Sequence, residues 1–280
     1  MPITRSRRKD RGYLMNIWAI TTVKNEEDII GYNLSHLDRQ GLDGIIVADN
    51  MSNDETDSII GDMARIMDTP VVYFPDEELA HYQGRKMREL ADMAANDFGA
   101  DFIIPFDADE LWYSTDPSKT LGDVIRAQPR RVVEAKMFNH YRGSSDVESM
   151  NPFVRFCYRD SNMNPMGKVA FEYSPGIRIG EGNHNVFLNG GMCAPSSSDI
   201  AIRHFPYRSE NQFIQKITQG SKALAATNLD ESIGSHWRLY GQWLKENGVE
   251  HMKDHYRKWF TYLNKTMNMI YDPAPYMGDL

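Results

Sequence analysis

Residues 17–106 repeat one alternation of apolar runs and amphipathic stretches. Ile17-Trp18-Ala19-Ile20-Thr21-Thr22-Val23 is β-rich and nearly all apolar, the pattern of a strand buried on both faces of a parallel sheet. Lys24-Asn25-Glu26-Glu27-Asp28 then opens a helix expected to run to about Gln40, with its acids suited to the positive end of the helix dipole. Gly41 and Gly44 punctuate the entry to a second strand, 44–49. A polar turn follows, Asn50 to Thr56, and then Ile59, Ile60, Met63, Ile66 and Met67 recur at helical spacing. A third strand covers 70–74. A helix over 82–98 places Met87, Leu90, Ala91, Ala94 and Phe98 on one face. The fourth strand, 101–106, ends in Asp107-Ala108-Asp109-Glu110. This alternation predicts a doubly wound α/β sheet.

In such sheets ligands bind beyond the carboxyl ends of the strands. The polar clusters Lys24–Glu26, Asp49–Thr56 and Asp107–Glu110 all follow strands, so they are expected around one crevice. After residue 130 the pattern changes. Short β-like runs at 132–138, 153–158, 168–173 and 200–205 lie among Gly, Asn and Pro turns. From Ser209 onward the spacing becomes helical, over about 209–226, 232–246 and 249–270. Trp237, Tyr240, Trp243, Tyr256, Trp259 and Tyr262 are dense there, and at helical spacing they read as core.

The chain has 280 residues, 41% hydrophobic and 25% charged, enough to bury a core without a disulfide or metal staple. No apolar run approaches a membrane span of about 20 residues. Two cysteines, Cys157 and Cys193, make no disulfide framework, so a cytoplasmic location is the default. A net charge of −8 speaks against nucleic acid as a partner. The stretch from Thr4 to Arg11 is strongly basic but is followed by no apolar core of a signal peptide, and residues 1–14 read as a disordered tail.

Candidate chemistry centres on the D-x-D-E segment. Asp107 and Asp109, one residue apart past a buried strand, can both reach one cation, and hard oxygen ligands select magnesium or manganese. A surface acidic turn is the bland alternative, which so apolar a strand disfavours. The glycine and later glutamate of an EF-hand are missing. A phosphatase of the aspartyl-nucleophile type would carry its D-x-D after the first strand. Neither a Walker loop nor G-x-G-x-x-G is present.

Four segments together resemble a known family. Val23-Lys24-Asn25-Glu26 looks like its V-K-N-E opening. Asp49-Asn50-Met51-Ser52-Asn53-Asp54-Glu55-Thr56 looks like its D-x-x-S-x-D-x-T segment. Asp107-Ala108-Asp109-Glu110 looks like its D-x-D-E, and His204-Phe205-Pro206-Tyr207-Arg208-Ser209 resembles its H-x-P-Y-R-S. The pattern, over about residues 15–225, is similar to family 2-like glycosyltransferases, metal-dependent enzymes with the GT-A fold. Met51 departs from it, since many relatives carry glycine there. The resemblance implies a Rossmann-like, mixed and mostly parallel sheet flanked by helices, with a C-terminal helical extension. It implies a GT-A domain over 15–208, with a nucleotide-binding half over 15–112 and an acceptor half over 113–208, and a helical region over 209–280.

The resemblance also implies roles. A nucleotide-sugar donor, UDP-linked in the first instance, would sit with its base against the backbone near Thr21 and Val23 and with Asp49 on base or ribose. Asn25 and Glu26 would belong to the same donor site. Asp107 would face ribose or metal, and Asp109 would be the main ligand of Mn2+ or Mg2+. Glu110 would orient the site. His204 would be a third metal ligand, with His184 its competitor or a contact for the acceptor, and a satisfied structural histidine is the plain alternative for each. Arg85, with Lys86 and Arg88, would neutralise diphosphate or form a solvated face.

Transfer leaves a nucleoside diphosphate that gains negative charge, which a fixed ion and a basic side chain would stabilise. An inverting route needs a base, with Glu148, Glu172, Glu181 and His184 as candidates. The acceptor is a protein, glycan or lipid. Two other readings stay open: a sugar-phosphate nucleotidyltransferase, though Lys24-Asn25-Glu26-Glu27 is not the Gly-rich basic loop that class expects, and a non-catalytic binder on the same scaffold.

Overall fold

The computed structural model describes residues 14–80, 82–127, 131–143, 146–261, 268–273, 275–276 and 278. The basic stretch 4–11 lies outside them. The first half reads β1 (Ile17–Val23), α1 (Ile30–Asp38), β2 (Gly44–Asp49), α2 (Thr56–Ile66), β3 (Val71–Pro75), α3 (Gln83–Phe98), β4 (Phe102–Pro105), β5 (Glu110–Ser114) and α4 (Leu121–Ala127). The second half adds β6 (Val132–Tyr141), α5 (Pro152–Arg155), β7 (Tyr158–Asp160), β8 (Lys168–Glu172), β9 (Arg178–Ile179), β10 (Val186–Leu188), β11 (Gly191–Met192), β12 (Ser196–His204), α6 (Glu210–Ala225), α7 (Ser235–Trp259) and β13 (Met269–Tyr271).

The heart of the sheet is four parallel strands in the order β4-β1-β2-β3. Antiparallel β8 continues it beyond β4, followed by β6, β7 and β13. β12 runs parallel to β6 and antiparallel to β5. The expected mixed α/β sheet flanked by helices, with helices at the C-terminus, is therefore present. Its strand period explains the unbroken apolar runs. Ile17, Ala19, Ile45, Val47 and Ile104 face α1 and α2, where Leu34, Leu37, Ile60 and Met63 cover them. Trp18, Ile20, Ile46, Ala48 and Ile103 face α3 with its Met87, Leu90, Ala91 and Ala94. A strand covered on both sides leaves no polar position in its middle.

Several boundaries differ from the sequence pattern for identifiable reasons. The first helix starts at Ile30 rather than near Lys24, and no acid lies in its first turn. Asn25 adopts φ 53°, in the left-handed region, and its side chain clamps the next loop, donating to Asn53 Oδ1 at 2.7 Å and accepting from Asn53 N at 2.8 Å. The run 153–158 is mostly not a strand. Pro152 opens the short helix α5, capped by Asn151, whose Oδ1 accepts from Phe153 N at 3.0 Å. The last two expected helices are joined as α7, which breaks at Gly248 (φ 81°, ψ 175°), a backbone shape that suits glycine. Residues 262–267 of the expected final helix lie outside the described residues, and 269–271 form a strand. No helix among the described residues is long and apolar enough to cross a membrane.

Two imidazoles are built into this core. His36 Nε2 is 2.9 Å from Trp112 O, and His140 Nδ1 is 3.1 Å from Phe138 O; both side chains are fully buried. Burial lowers His36 to about 4 and His140 to about 3, the latter helped by the Arg203 charge. Protons therefore enter the unfolded chain first. Stability is full above pH about 6.5 and is lost as pH falls through about 4 for His36 and about 3 for His140, by up to about 3 and about 5 kcal/mol respectively. Urea unfolding of wild type should weaken by about 2 kcal/mol for each imidazole between pH 6.5 and 5. His36→Gln should show a flatter acid limb, and identical slopes would refute this.

Candidate active site

A cleft of about 470 Å³ opens along the carboxyl edge of β1 and β4, a size suited to a small-molecule ligand. Its floor carries Lys24, Glu26, Asn50 and the whole Asp107–Glu110 segment. Lys86 and Gln83 of α3 form one wall. Lys168, His184, His204, and Lys216 with Gln219 and Gly220 of α6 form the others, with Trp237 of α7 at the margin.

The segment after β4 holds its acids in different environments. Asp109 is 3% exposed. Burial opposes its charge, yet the Lys216 and Arg208 charges hold it well below the ordinary carboxylate range. The Lys216 ammonium contacts Asp109 Oδ2, and Arg208 Nη1 lies 3.9 Å from the same oxygen. Asp107 is partly open; Lys168 Nζ donates to its Oδ2 at 2.7 Å and Gln83 Nε2 to its Oδ1 at 3.0 Å. Glu110 is fully buried beside Lys168 Nζ at 2.8 Å. Its Oε2 accepts from Asp107 N and from Trp112 Nε1, both at 3.2 Å. Glu110 thus fixes the turn that carries the two aspartates. The buried Lys168 stays charged because Asp107 and Glu110 outweigh its desolvation.

His204 reaches the same place through sheet register. β5 and β12 pair so that His204 lies opposite Glu110, and Phe205 N donates to Asp109 O at 2.9 Å. His204 Nδ1 lies 2.8 Å from Asn139 Oδ1. An amide oxygen only accepts, which assigns the proton to Nδ1 and the lone pair to Nε2. Nε2 is 3.8 Å from Asp109 Oδ2, and burial lowers the imidazole to about 4, leaving it neutral.

Among the described residues no three His, Cys, Asp or Glu side chains converge on one metal position. Asp109 and His204 form a pair. Their 3.8 Å separation is one that two ligands at about 2.1 Å from a shared ion can span. The remaining positions of an ion there would fall to donor oxygens and water. These two residues fit a divalent metal, whereas Asp107 has both oxygens engaged by Lys168 and Gln83.

The other expected residues divide. Val23 and Glu26 line the cleft. Thr21 does not; it is fully buried, and Thr22 takes its place on the surface. Asp49 is buried within its own turn, taking Ser52 Oγ at 2.5 Å and Ser52 N at 3.2 Å, while the adjacent Asn50 faces the cleft. Asn25 serves the loop clamp described above. Arg85 lies off the cleft, paired with Glu78, and Arg88 pairs with Asp92 at 3.5 Å; of that group only Lys86 faces inward. Of the four candidate bases only His184 lines the cleft. Glu172 faces Arg131 at 3.9 Å, Glu181 accepts from Gly84 N at 3.2 Å, and Glu148 belongs to a separate concavity with Arg142 and Arg155. His184 Nδ1 is 2.7 Å from Gly167 O, which leaves Nε2 without its proton. Gly182 (φ 76°) lies against the ring, where a Cβ would come within 2.6 Å of the imidazole.

Two site residues, Lys168 and Lys216, escaped the sequence pattern, and Arg208 stood in a motif with no role assigned to it. Arg208 is buried and binds Asp28 at 2.6 and 2.7 Å and Glu26 through Nη2, tying the loop after β1 to the turn before α6.

A sequence profile described as Glycosyl transferase family 2 matches residues 18–180. Among solved structures, TarS of S. aureus in complex with UDP is 13% identical, covering 82% of this chain and 72% of that one, with a TM-score of 0.38. The mannosyltransferase PcManGT of Pyrobaculum calidifontis, in complex with GDP-Man and Mn2+, is 15% identical, covering 78% and 67%, with a TM-score of 0.44. TarS with UDP-GlcNAc covers 78% and 69% at 13% identity, with a TM-score of 0.38. No curated protein matches.

Proposed function

Because the chain belongs to glycosyl transferase family 2, which matches more than half its length, we propose that it transfers a sugar from a nucleoside diphosphate sugar, UDP-linked in the first instance, to an acceptor hydroxyl. The observation that carries this reading is the convergence of Asp109, His204, Lys168 and Lys216 in one cleft at the carboxyl edge of the sheet. The nucleotide lies along Thr22, Val23 and Asn50, with Lys86 facing the diphosphate. Asp109 and His204 would hold a divalent ion, Mn2+ or Mg2+, which would supply positive charge to the departing diphosphate. Glu110 and Lys168 keep the aspartate turn in place. His184, kept neutral mainly by burial, offers Nε2 to take the proton of the acceptor hydroxyl. Asp49 acts indirectly, by shaping the turn that presents Asn50.

UDP is expected to bind measurably only with a divalent ion. Calorimetry with Mn2+ and with EDTA checks this, and equal affinity in both would sink the metal assignment. In the same assay His204→Ala should weaken UDP–Mn2+ binding more than UDP–Mg2+ binding, because imidazole favours manganese over magnesium. Release of sugar from a panel of nucleotide sugars identifies the donor, and no turnover of any of them would favour the non-catalytic reading.

A further inference from the structure

Two lysines meet the acids after β4, and they are held differently. The Lys168 ammonium lies between Asp107 Oδ2 at 2.7 Å and Glu110 Oε1 at 2.8 Å, on a side chain 5% exposed. The Lys216 ammonium contacts one carboxylate, Asp109, on a side chain 23% exposed that reaches in from α6 along the cleft wall. A group clasped at two points by strand residues stays in place. A four-carbon stem held at one point, with open cleft beside it, is free to swing. The oxygen Lys216 contacts is Asp109 Oδ2, the same one that stands 3.8 Å from His204 Nε2. An ammonium and a divalent cation cannot share that place, because like charges repel strongly at such range.

We propose that Lys216 is the built-in counter-charge of Asp109. It holds Asp109 while no ion is bound, yields that oxygen to the divalent ion, and then turns its ammonium to the diphosphate in the same cleft. The proposal rests on the donor-site reading above. An ammonium is a compact charge with three donors and suits phosphate oxygens. Two consequences follow from linkage. The ion alone binds weakly, since it must displace a cation. Ion and nucleoside diphosphate bind cooperatively, since the displaced ammonium gains an anion, and the coupling is reciprocal. Lys216 lies beyond residues 18–180, so the family match does not cover it.

Lys216→Met keeps the stem and removes the charge, and Lys216→Gln provides a second variant that can still hydrogen-bond Asp109. Three quantities are measured on the full chain: Mn2+ affinity without nucleotide, UDP affinity in saturating Mn2+, and melting temperature with and without Mn2+. Both variants are expected to bind Mn2+ alone about tenfold more tightly than wild type and UDP about tenfold more weakly. Lys216→Met should melt lower than wild type without the ion, because Asp109 has lost its nearest partner, and Mn2+ should restore it. Mn2+ affinity unchanged or weakened in both variants, with wild type still binding UDP and Mn2+ together, would overturn the proposal alone. Failure of wild type to bind UDP under any condition would overturn the donor-site reading and this proposal with it.

Discussion

Asp109→Asn is expected to lower kcat by at least about 10²–10³-fold at saturating donor and Mn2+, with the fold retained. Under the proposed function the activity loss follows from charge, since a buried carboxylate that would hold a cation at the departing diphosphate acts where water does not screen it. Retention of the fold follows from the partners. Asparagine fills the same space. Lys216, with a side chain 23% exposed, can turn to water, and Arg208 keeps Glu26 and Asp28. The melting temperature without ligand should therefore stay within a few degrees of wild type. Steady-state kinetics beside a thermal melt gives both numbers, and near-normal turnover would show that the ion is held elsewhere.

Arg208→Ala should do the reverse and strike stability first. Arg208 is 6% exposed and donates to Phe205 O at 3.2 Å as well as to Glu26 and Asp28. Its removal strands the Glu26 carboxylate, which burial already pushes up, and leaves Asp109 with one cation fewer. Breaking a buried ion pair from one side costs about 3–5 kcal/mol. In a chain of this length that is about 6–20 °C in Tm. Asp28 is half exposed and adds little of this. The change also cuts the link between the loop after β1 and the turn into α6, so activity should fall even below the melting transition. A Tm drop under about 3 °C would show that Glu26 finds another partner.

The parallel half was legible in the sequence because each strand is covered on both faces and each helix on one, so residues 17–106 announce their period. The D-x-D-E segment was legible for the related reason that three acids rarely end so apolar a strand. What the sequence concealed were partners. Lys168 opens the strand Lys168-Val169-Ala170-Phe171, and a lysine ahead of a buried run was a signal of a charge drawn inward. Lys216 sits beside the stripe Phe213, Ile217 and Leu224, the buried face of α6, and that neighbourhood was the readable hint. Arg208 was quoted within a motif, but its carboxylates lie about 180 residues upstream, a distance no local pattern crosses. Asn25 and Asp49 misled in the opposite sense. Their polar side chains look aimed at a ligand, yet Asn25 spends its hydrogen bonds on Asn53 of the following loop and Asp49 on Ser52 of its own turn, as Asn and Asp commonly do near turns.

The antiparallel register of β5 and β12 places His204 opposite Glu110, so the distance from His204 to Asp109 depends on strand pairing and not on the chain between them. Everything from Thr115 to Pro195 leaves and returns at that ladder. Lengthening or shortening the loops of that stretch would leave the Asp–His pair where it is, whereas sliding either strand by one residue would turn the imidazole to the other face. The stretch of about eighty residues between the two strands also delivers Lys168 and His184 to the cleft, so its surface loops are free to change length only where strands β6 and β8 and the turn before His184 keep their places.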